Sequence, residues 1–157
     1  MRVGIGYDVH PLKAGRDLIL GGVRIAHPLG LDGHSDADVL THAVIDGLLG
    51  AAALGDIGQM FPMDDPKFEG ASSLDLLSAA GAAAAAAGFR IANVDSTLIA
   101  EEPRLGPHLE AMRHNIAERL RLADGQVSVK ATSPEGLGAL GHNAGIGAQA
   151  IVLIEEK

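Results

Sequence analysis

Arg2-Val3-Gly4-Ile5-Gly6-Tyr7-Asp8-Val9-His10, residues 2–10, alternates with period two. Val3, Ile5, Tyr7 and Val9 fall on one face, and Gly4, Gly6, Asp8 and His10 on the other. That period is the signature of a strand. Working outward, Asp17 to Ile25 reads as two short strands around Gly21-Gly22, which is hairpin chemistry, and Pro28 to His34 as a loop. Ser35, with Asp38 three residues on, is the expected N-cap of a helix running to about Leu54. Asp56 to Gly70 is turn-rich and reads as a mobile loop. Ser72 or Ser73 caps a second helix to Ala87, ended by Gly88. Phe89 to Ala100 is a strand, and Pro107 to about Leu122 a third helix with Pro in its first turn. Val127, Val129 and Ala131 make another strand, Ser133 to Gly147 a Gly-rich turn region, and Ala148 to Glu155 a final strand. Strands and helices interleave without a linker or internal repeat, so the fold class is α/β (α+β), a single domain over residues 1–157.

A chain of 157 residues buries roughly 68–70% of its unfolded surface, enough for a genuine core. Apolar residues make up 47%, but the only aromatic ones are Tyr7, Phe61, Phe68 and Phe89, and glycine reaches 21, about twice its usual share of roughly 7%. The core is therefore expected to be Ala, Val, Ile and Leu, closely approached by backbone. So thin a core favours burial shared between subunits, and a homo-oligomer is expected. Twelve basic against twenty acidic residues, net −8, argues against nucleic-acid binding, which needs a basic footprint. Small phosphates remain compatible where a metal or helix N-terminus reverses the local sign. With no cysteine and seven histidines, any metal site must use His and carboxylates. No secretory signal is visible at the start, and the run Ala79 to Phe89 is shorter than a membrane span needs. The expectation is a soluble, cytoplasmic protein with no membrane partner.

Asp8 and His10, at i and i+2 of one strand, present side chains on the same face. Asp-x-His is half of a zinc site, or else an ordinary polar pair on a surface strand. The segment Gly33-His34-Ser35-Asp36-Ala37-Asp38 with His42 favours the first reading. His42 lies one helical turn from both Asp38 and Asp46, an arrangement suited to an oriented tautomer. Asp8, His10 and one further His from loop or helix would supply three N/O ligands and leave a position open, the composition of a catalytic zinc site. His34, just before the helix, stands either as that third ligand or as an anion contact. Asp56-Ile57-Gly58 suits a sugar diol, and Lys130-Ala131-Thr132-Ser133-Pro134-Glu135 suits phosphate oxygens and a hard cation such as Mg²⁺. Both are otherwise ordinary solvated turns. No Gly-Lys-Ser/Thr phosphate loop and no Gly-x-Ser-x-Gly elbow is present, and the glycines of Gly4-Ile5-Gly6 lie within the strand, unlike a dinucleotide fingerprint.

From residue 2 to the last strand the chain resembles the 2-C-methyl-D-erythritol 2,4-cyclodiphosphate synthase family. The resemblance is carried by residues 2–10, Leu20-Gly21-Gly22-Val23, residues 33–38 with His42, Leu48-Leu49-Gly50-Ala51-Ala52-Ala53-Leu54-Gly55-Asp56-Ile57-Gly58, Phe61-Pro62, Asn93-Val94-Asp95 and Val129-Lys130-Ala131-Thr132. It implies a mixed sheet covered by about three helices, assembled as a homotrimer around a central cavity with an active site at each subunit interface. It implies conversion of 4-diphosphocytidyl-2-C-methyl-D-erythritol 2-phosphate to the cyclic diphosphate and CMP, a phosphorus–oxygen lyase reaction. Zinc, one per subunit, would be held by Asp8, His10 and His42, with Val9 between them at the substrate. His34 and Ser35 would contact phosphate, Asp56, Ile57 and Gly58 the ribose, and Phe61, Pro62, Met63, Asp64 and Asp65 the methylerythritol part. Ala100, Glu101, Glu102, Pro103, Arg104, Leu105 and Gly106 would form the cytosine pocket. Ala131, Thr132, Ser133, Pro134 and Glu135 would meet the diphosphate and its Mg²⁺ or Mn²⁺, with Glu135 the magnesium ligand. His34 and Ser133 fall at the positions assigned to transition-state stabilisation. Ser133 stands where Thr is common. Ala139 and His142 stand where Phe and Arg are expected, at the central cavity where some members hold an isoprenoid diphosphate. Two other readings share these residues: a zinc-dependent nucleotide hydrolase, and a non-catalytic isoprenoid-diphosphate-binding trimer, against which the missing Arg counts.

Overall fold

The computed structural model describes all of residues 1–157. Twelve elements follow one another: β1 (Arg2–Ala14), β2 (Leu18–Leu20), β3 (Val23–Ile25), β4 (Leu29–Leu31), α1 (Val39–Ala52), α2 (Ile57–Met60), α3 (Ser73–Ala86), β5 (Phe89–Ile99), α4 (Leu109–Leu120), β6 (Val127–Thr132), α5 (Gly138–Gly141) and β7 (Gly145–Glu156). Five strands form one sheet in the order β4-β1-β7-β5-β6, and β2-β3 is a separate hairpin. All neighbours in the large sheet are antiparallel except β5 and β6. That parallel pair requires a crossover, and α4 supplies it. The mixed α/β class and the three long helices, α1, α3 and α4, are as expected.

The alternation of residues 2–10 holds, and it is the glycine face that is buried. Gly4 and Gly6 face α1 closely enough that an added Cβ at Gly6 would sit 1.8 Å from the Ala43 carbonyl oxygen. The aliphatic face points away from the helices: Val3, Ile5, Tyr7 and Val9 are 45–71% exposed, as is Ile151 of β7 (48%), the register partner of Ile5. The core between sheet and helices is built from Ala, Val, Ile and Leu with the single Met112, and no aromatic ring is fully inside it. Phe61, Phe68 and Phe89 pack on its margin.

Several local expectations are corrected. Residues 29–31, read as loop, form β4 on the far end of β1, which continues past Pro11 to Ala14. The N-cap of α1 is Asp38 and not Ser35. Asp38 is fully buried, and its carboxylate accepts hydrogen bonds from Gly21 N (2.9 Å), Gly22 N (2.7 Å), Thr41 N (3.1 Å) and Thr41 Oγ1 (2.8 Å), tying the hairpin to the helix. The helix ends at Ala52, with Ala53 left-handed, rather than at Leu54. Residues 56–70 are not all loop, since they contain α2, capped by Asp56, and a 3₁₀ turn at Pro66–Phe68 capped by Asp65. Ser72 precedes α3 without a side-chain cap bond. Pro107 lies in a 3₁₀ turn that leads into α4. Within 133–147, α5 forms and β7 begins early, at Gly145.

Candidate metal centre

Period two puts Asp8 and His10 on the buried face of β1, and the glycines beside them let α1 settle onto the strand. His42, next to the Ala43 that touches Gly6, is thereby brought against Asp8. Asp8 Oδ2 lies 3.0 Å from His10 Nε2 and 3.0 Å from His42 Nδ1. The two imidazoles meet edge-on, centroids 5.4 Å apart, and the three ligand atoms all fall within 4.8 Å of one another. Asp38 and Asp46 stand one turn to either side of His42 as expected, but neither hydrogen-bonds its ring. Asp38 is committed to the hairpin, and Asp46 accepts from Ile57 N at 2.8 Å.

The far nitrogen of each imidazole shows which nitrogen is free for a metal. His10 Nδ1 is 2.7 Å from the Asp32 carbonyl, an acceptor only, so Nδ1 keeps a proton and Nε2, beside Asp8, is the nitrogen that a metal can take in place of a proton. His42 Nε2 is 2.8 Å from Ser73 Oγ and 3.1 Å from Ser35 Oγ, which leaves Nδ1 facing Asp8. Partial burial alone would raise the Asp8 carboxyl, but its contacts with His10 and His42 outweigh this and hold it well below the usual carboxylate range. The Asp8 carboxylate in turn raises His10 above an ordinary histidine, against the opposing effect of burial. One carboxylate and two imidazole lone pairs converging on a point, with no thiolate, fit a divalent transition metal that retains positions for solvent or substrate.

This triad forms the floor of a cleft of about 280 Å³. The rest of its lining is His34, Ser35, Ile57, Gly58, Phe61, Met63, Phe68 and Leu76. His34 is therefore not a third ligand but a neighbour of the metal centre. Phe68 and Leu76 had no signal of their own in the sequence: an aromatic residue in a turn and a leucine at helical spacing read as packing. Of the other expected residues in this region, Asp56 is engaged by Gln59 N (2.8 Å) and Gln59 Nε2 (2.6 Å), and Asp65 by Lys67 Nζ (2.8 Å). Pro62 and Asp64 do not line the cleft, and Val9 points to the opposite face of the sheet.

The remaining expected residues gather elsewhere. At the C-terminal ends of the parallel pair, Ala100 N donates to Thr132 O at 3.1 Å, next to the Ile99–Thr132 register pair. Glu101 Oε2 accepts from Ser133 Oγ (2.9 Å) and Gly136 N (3.1 Å), and Ser133 Oγ accepts from Glu135 N (2.9 Å). Thr132, Ser133 and Glu135 are exposed, Ala100 and Leu105 are buried, and the Glu102–Pro103 peptide is cis. No residue of 100–106 or 131–135 lines the cleft over the triad in the same chain. Ala139 and His142 form a third location, on and after α5, where His142 Nδ1 donates to Gly138 O at 2.7 Å. No helix is long and apolar enough to cross a membrane.

The sequence model of the YgbB family matches residues 1–155. The 2-C-methyl-D-erythritol 2,4-cyclodiphosphate synthase of Syntrophomonas wolfei is 59% identical over 156 residues, covering 99% of each chain. Among solved structures, the bifunctional IspDF from Campylobacter jejuni superposes with a TM-score of 0.96 at 40% identity, over 99% of this chain and 42% of that one. A 2C-methyl-D-erythritol-2,4-cyclodiphosphate synthase in its CDP-bound form superposes with a TM-score of 0.90 at 36% identity, over 98% of this chain and all of the other.

Proposed function

The chain belongs to the YgbB family, and from that premise we propose that it is a cyclodiphosphate synthase, converting 4-diphosphocytidyl-2-C-methyl-D-erythritol 2-phosphate to 2-C-methyl-D-erythritol 2,4-cyclodiphosphate and CMP. An oxygen of the 2-phosphate attacks the β-phosphorus, the bond from that phosphorus to the bridging oxygen breaks, and the electron pair leaves with CMP. No water is consumed and nothing is oxidised. The nucleophile is already an anion, so the protein need supply no general base. Its task is positioning and charge neutralisation.

The observation that carries the reading is the convergence of Asp8, His10 and His42 at the floor of a cleft. Asp8, His10 and His42 would hold a zinc ion there, which would supply Lewis-acid polarisation to a phosphate oxygen. His34 and Ser35 border the triad and suit the phosphate. Asp56 and Gly58 take the ribose diol, and residues 61–65 cover the methylerythritol part. Residues 100–106 take the cytosine, with Thr132, Ser133 and Glu135 at the diphosphate. Glu135, the exposed acid next to the Thr132-Ser133 hydroxyl pair, is the carboxylate for a Mg²⁺ or Mn²⁺ that arrives with the substrate.

Two halves of the site lie apart in one chain, and the enzyme works as a cytoplasmic homotrimer in which neighbouring subunits unite them. What supports assembly is the exposed aliphatic face of Val3, Ile5, Val9 and Ile151, since contiguous apolar surface of this kind marks an interface. Incubation with the cytidyl substrate, Zn²⁺ and Mg²⁺, followed by ³¹P NMR, tests the reaction. Cyclic diphosphate and CMP in equal amounts are expected. An open-chain phosphate product with incorporated water would instead establish the hydrolase.

A further inference from the structure

We infer that Asp36 and Ser73 form a positioning pair that commits the proton of His42 to Nε2 and so keeps Nδ1 available as a metal ligand. This rests on the reading that Asp8, His10 and His42 hold a metal. Ser73 is the first residue of α3, is fully buried, and approaches His42 Nε2 to 2.8 Å. Viewed alone this contact is ambiguous, because a hydroxyl can donate or accept. Asp36 resolves it. Its Oδ1 accepts from Ser73 Oγ and its Oδ2 accepts from Ser73 N at 3.0 Å. Both carboxylate oxygens accept from Ser73, so its single hydroxyl proton is spent on Asp36 and a lone pair is left facing His42. Nε2 must then be the donor. Nδ1 faces the Asp8 carboxylate at 3.0 Å, so a metal there replaces a proton at Nδ1 while Ser73 keeps the one at Nε2. A Ser73 free to rotate and donate would leave Nδ1 as the protonated nitrogen and block the ligand position.

Ser35 Oγ, 3.1 Å from Nε2, accepts from Ala37 N at 3.2 Å and is a weaker second partner. The same pair fastens two chain segments together. Asp36 N donates to Ala71 O at 3.1 Å and Gly70 N to His34 O at 2.9 Å. The segment that walls the cleft thus ends on the residue that orients a metal ligand. Partners of this kind behind a ligating histidine change metal affinity by about 10–100-fold when removed.

The test uses the full chain, with Zn²⁺ affinity measured by competition against a chromophoric chelator at fixed pH. Ser73→Ala and Asp36→Asn should each bind Zn²⁺ about 10–100-fold more weakly than the parent. Ser72→Ala, adjacent but without a side-chain cap bond, should match it. In the zinc-loaded parent the His42 Nε2 proton should give a downfield ¹H resonance protected from solvent exchange, and Ser73→Ala should lose that protection. Affinities within threefold of the parent in both variants, or rapid exchange of that proton in the parent, would overturn the inference while leaving the metal reading intact. A parent that binds no Zn²⁺ overturns the metal reading and this inference with it.

Discussion

Gly6 and Ala43 are in backbone contact: a methyl group on Gly6 would lie 1.8 Å from the Ala43 carbonyl oxygen and 2.7 Å from Gly47 N. No side-chain rotation relieves a clash with backbone, so α1 would have to lift from β1 and carry His42 away from Asp8. Gly6→Ala should lower stability by about 3 kcal/mol and weaken metal binding together. Denaturant melts and zinc titration of the variant check both, and an unchanged midpoint would mean the helix tolerates the shift.

That contact also explains what could and could not be foreseen. Period two in residues 2–10 announces the strand and puts Asp8 beside His10 from local geometry alone. β4 escapes notice because Leu29-Gly30-Leu31 is three residues long and its partner Leu12–Ala14 lies beyond Pro11, where a strand reads as finished. Ser35 and Asp38 both look like caps, and tertiary contacts decide between them, since only Asp38 gathers the amides of Gly21 and Gly22. The choice between His34 and His42 depends on where α1 sits, which spacing does not encode. Ser73 reads as a helix start, and nothing near it in sequence points to an imidazole 31 residues away.

Asp38→Ala should be among the most damaging single changes outside the metal centre. It strands the buried amide of Gly21, held at φ of 55° against Met112, and the buried amide and hydroxyl of Thr41, while the exposed Gly22 amide turns to solvent. Each buried orphan costs about 1–3 kcal/mol, so a loss of about 3–5 kcal/mol and a fall in Tm of roughly 10 °C are expected. Calorimetry provides the measurement, and a fall of a degree or two would contradict it.

His42→Ala removes one of three ligands, so the purified variant should lose its zinc on dialysis against a chelator while far-UV circular dichroism stays that of the parent. Elemental analysis reads the metal and ³¹P NMR the absence of cyclic product. Full zinc retention would move the third ligand elsewhere.

Burial pushes the Asp46 carboxyl above its ordinary value, helped by repulsion from Asp56 and Asp8 and opposed by the hydrogen bond from Ile57 N. A carboxyl whose folded value is raised favours the protonated form in the native state. Its ionisation therefore costs stability, beginning as pH rises past the unfolded value of 3.8 and complete above the folded one. Asp46→Asn keeps an oxygen for Ile57 N and removes the charge. It should raise Tm at pH 7 and leave it nearly unchanged at pH 3.5. A variant less stable than the parent at pH 7 would show that the charge is compensated.

The separation of the triad cleft from the 100–106 and 131–135 segments predicts complementation between two inactive variants. His42→Ala destroys the metal half. Gly106→Trp blocks the nucleotide half without straining the chain, because a Cβ at Gly106 meets no atom within 4 Å. Each variant should be inactive alone. Co-refolded in equal amounts into a cyclic trimer with head-to-tail interfaces, a given site draws its metal half from an intact chain half the time, and its nucleotide half likewise. Roughly a quarter of sites should then be whole. If all of the site's residues came from one chain, no mixture would rebuild it. Activity near a quarter of the parent's, with mixed trimers confirmed by native mass spectrometry, is the expected result, and mixed trimers without activity would place both halves in a single subunit.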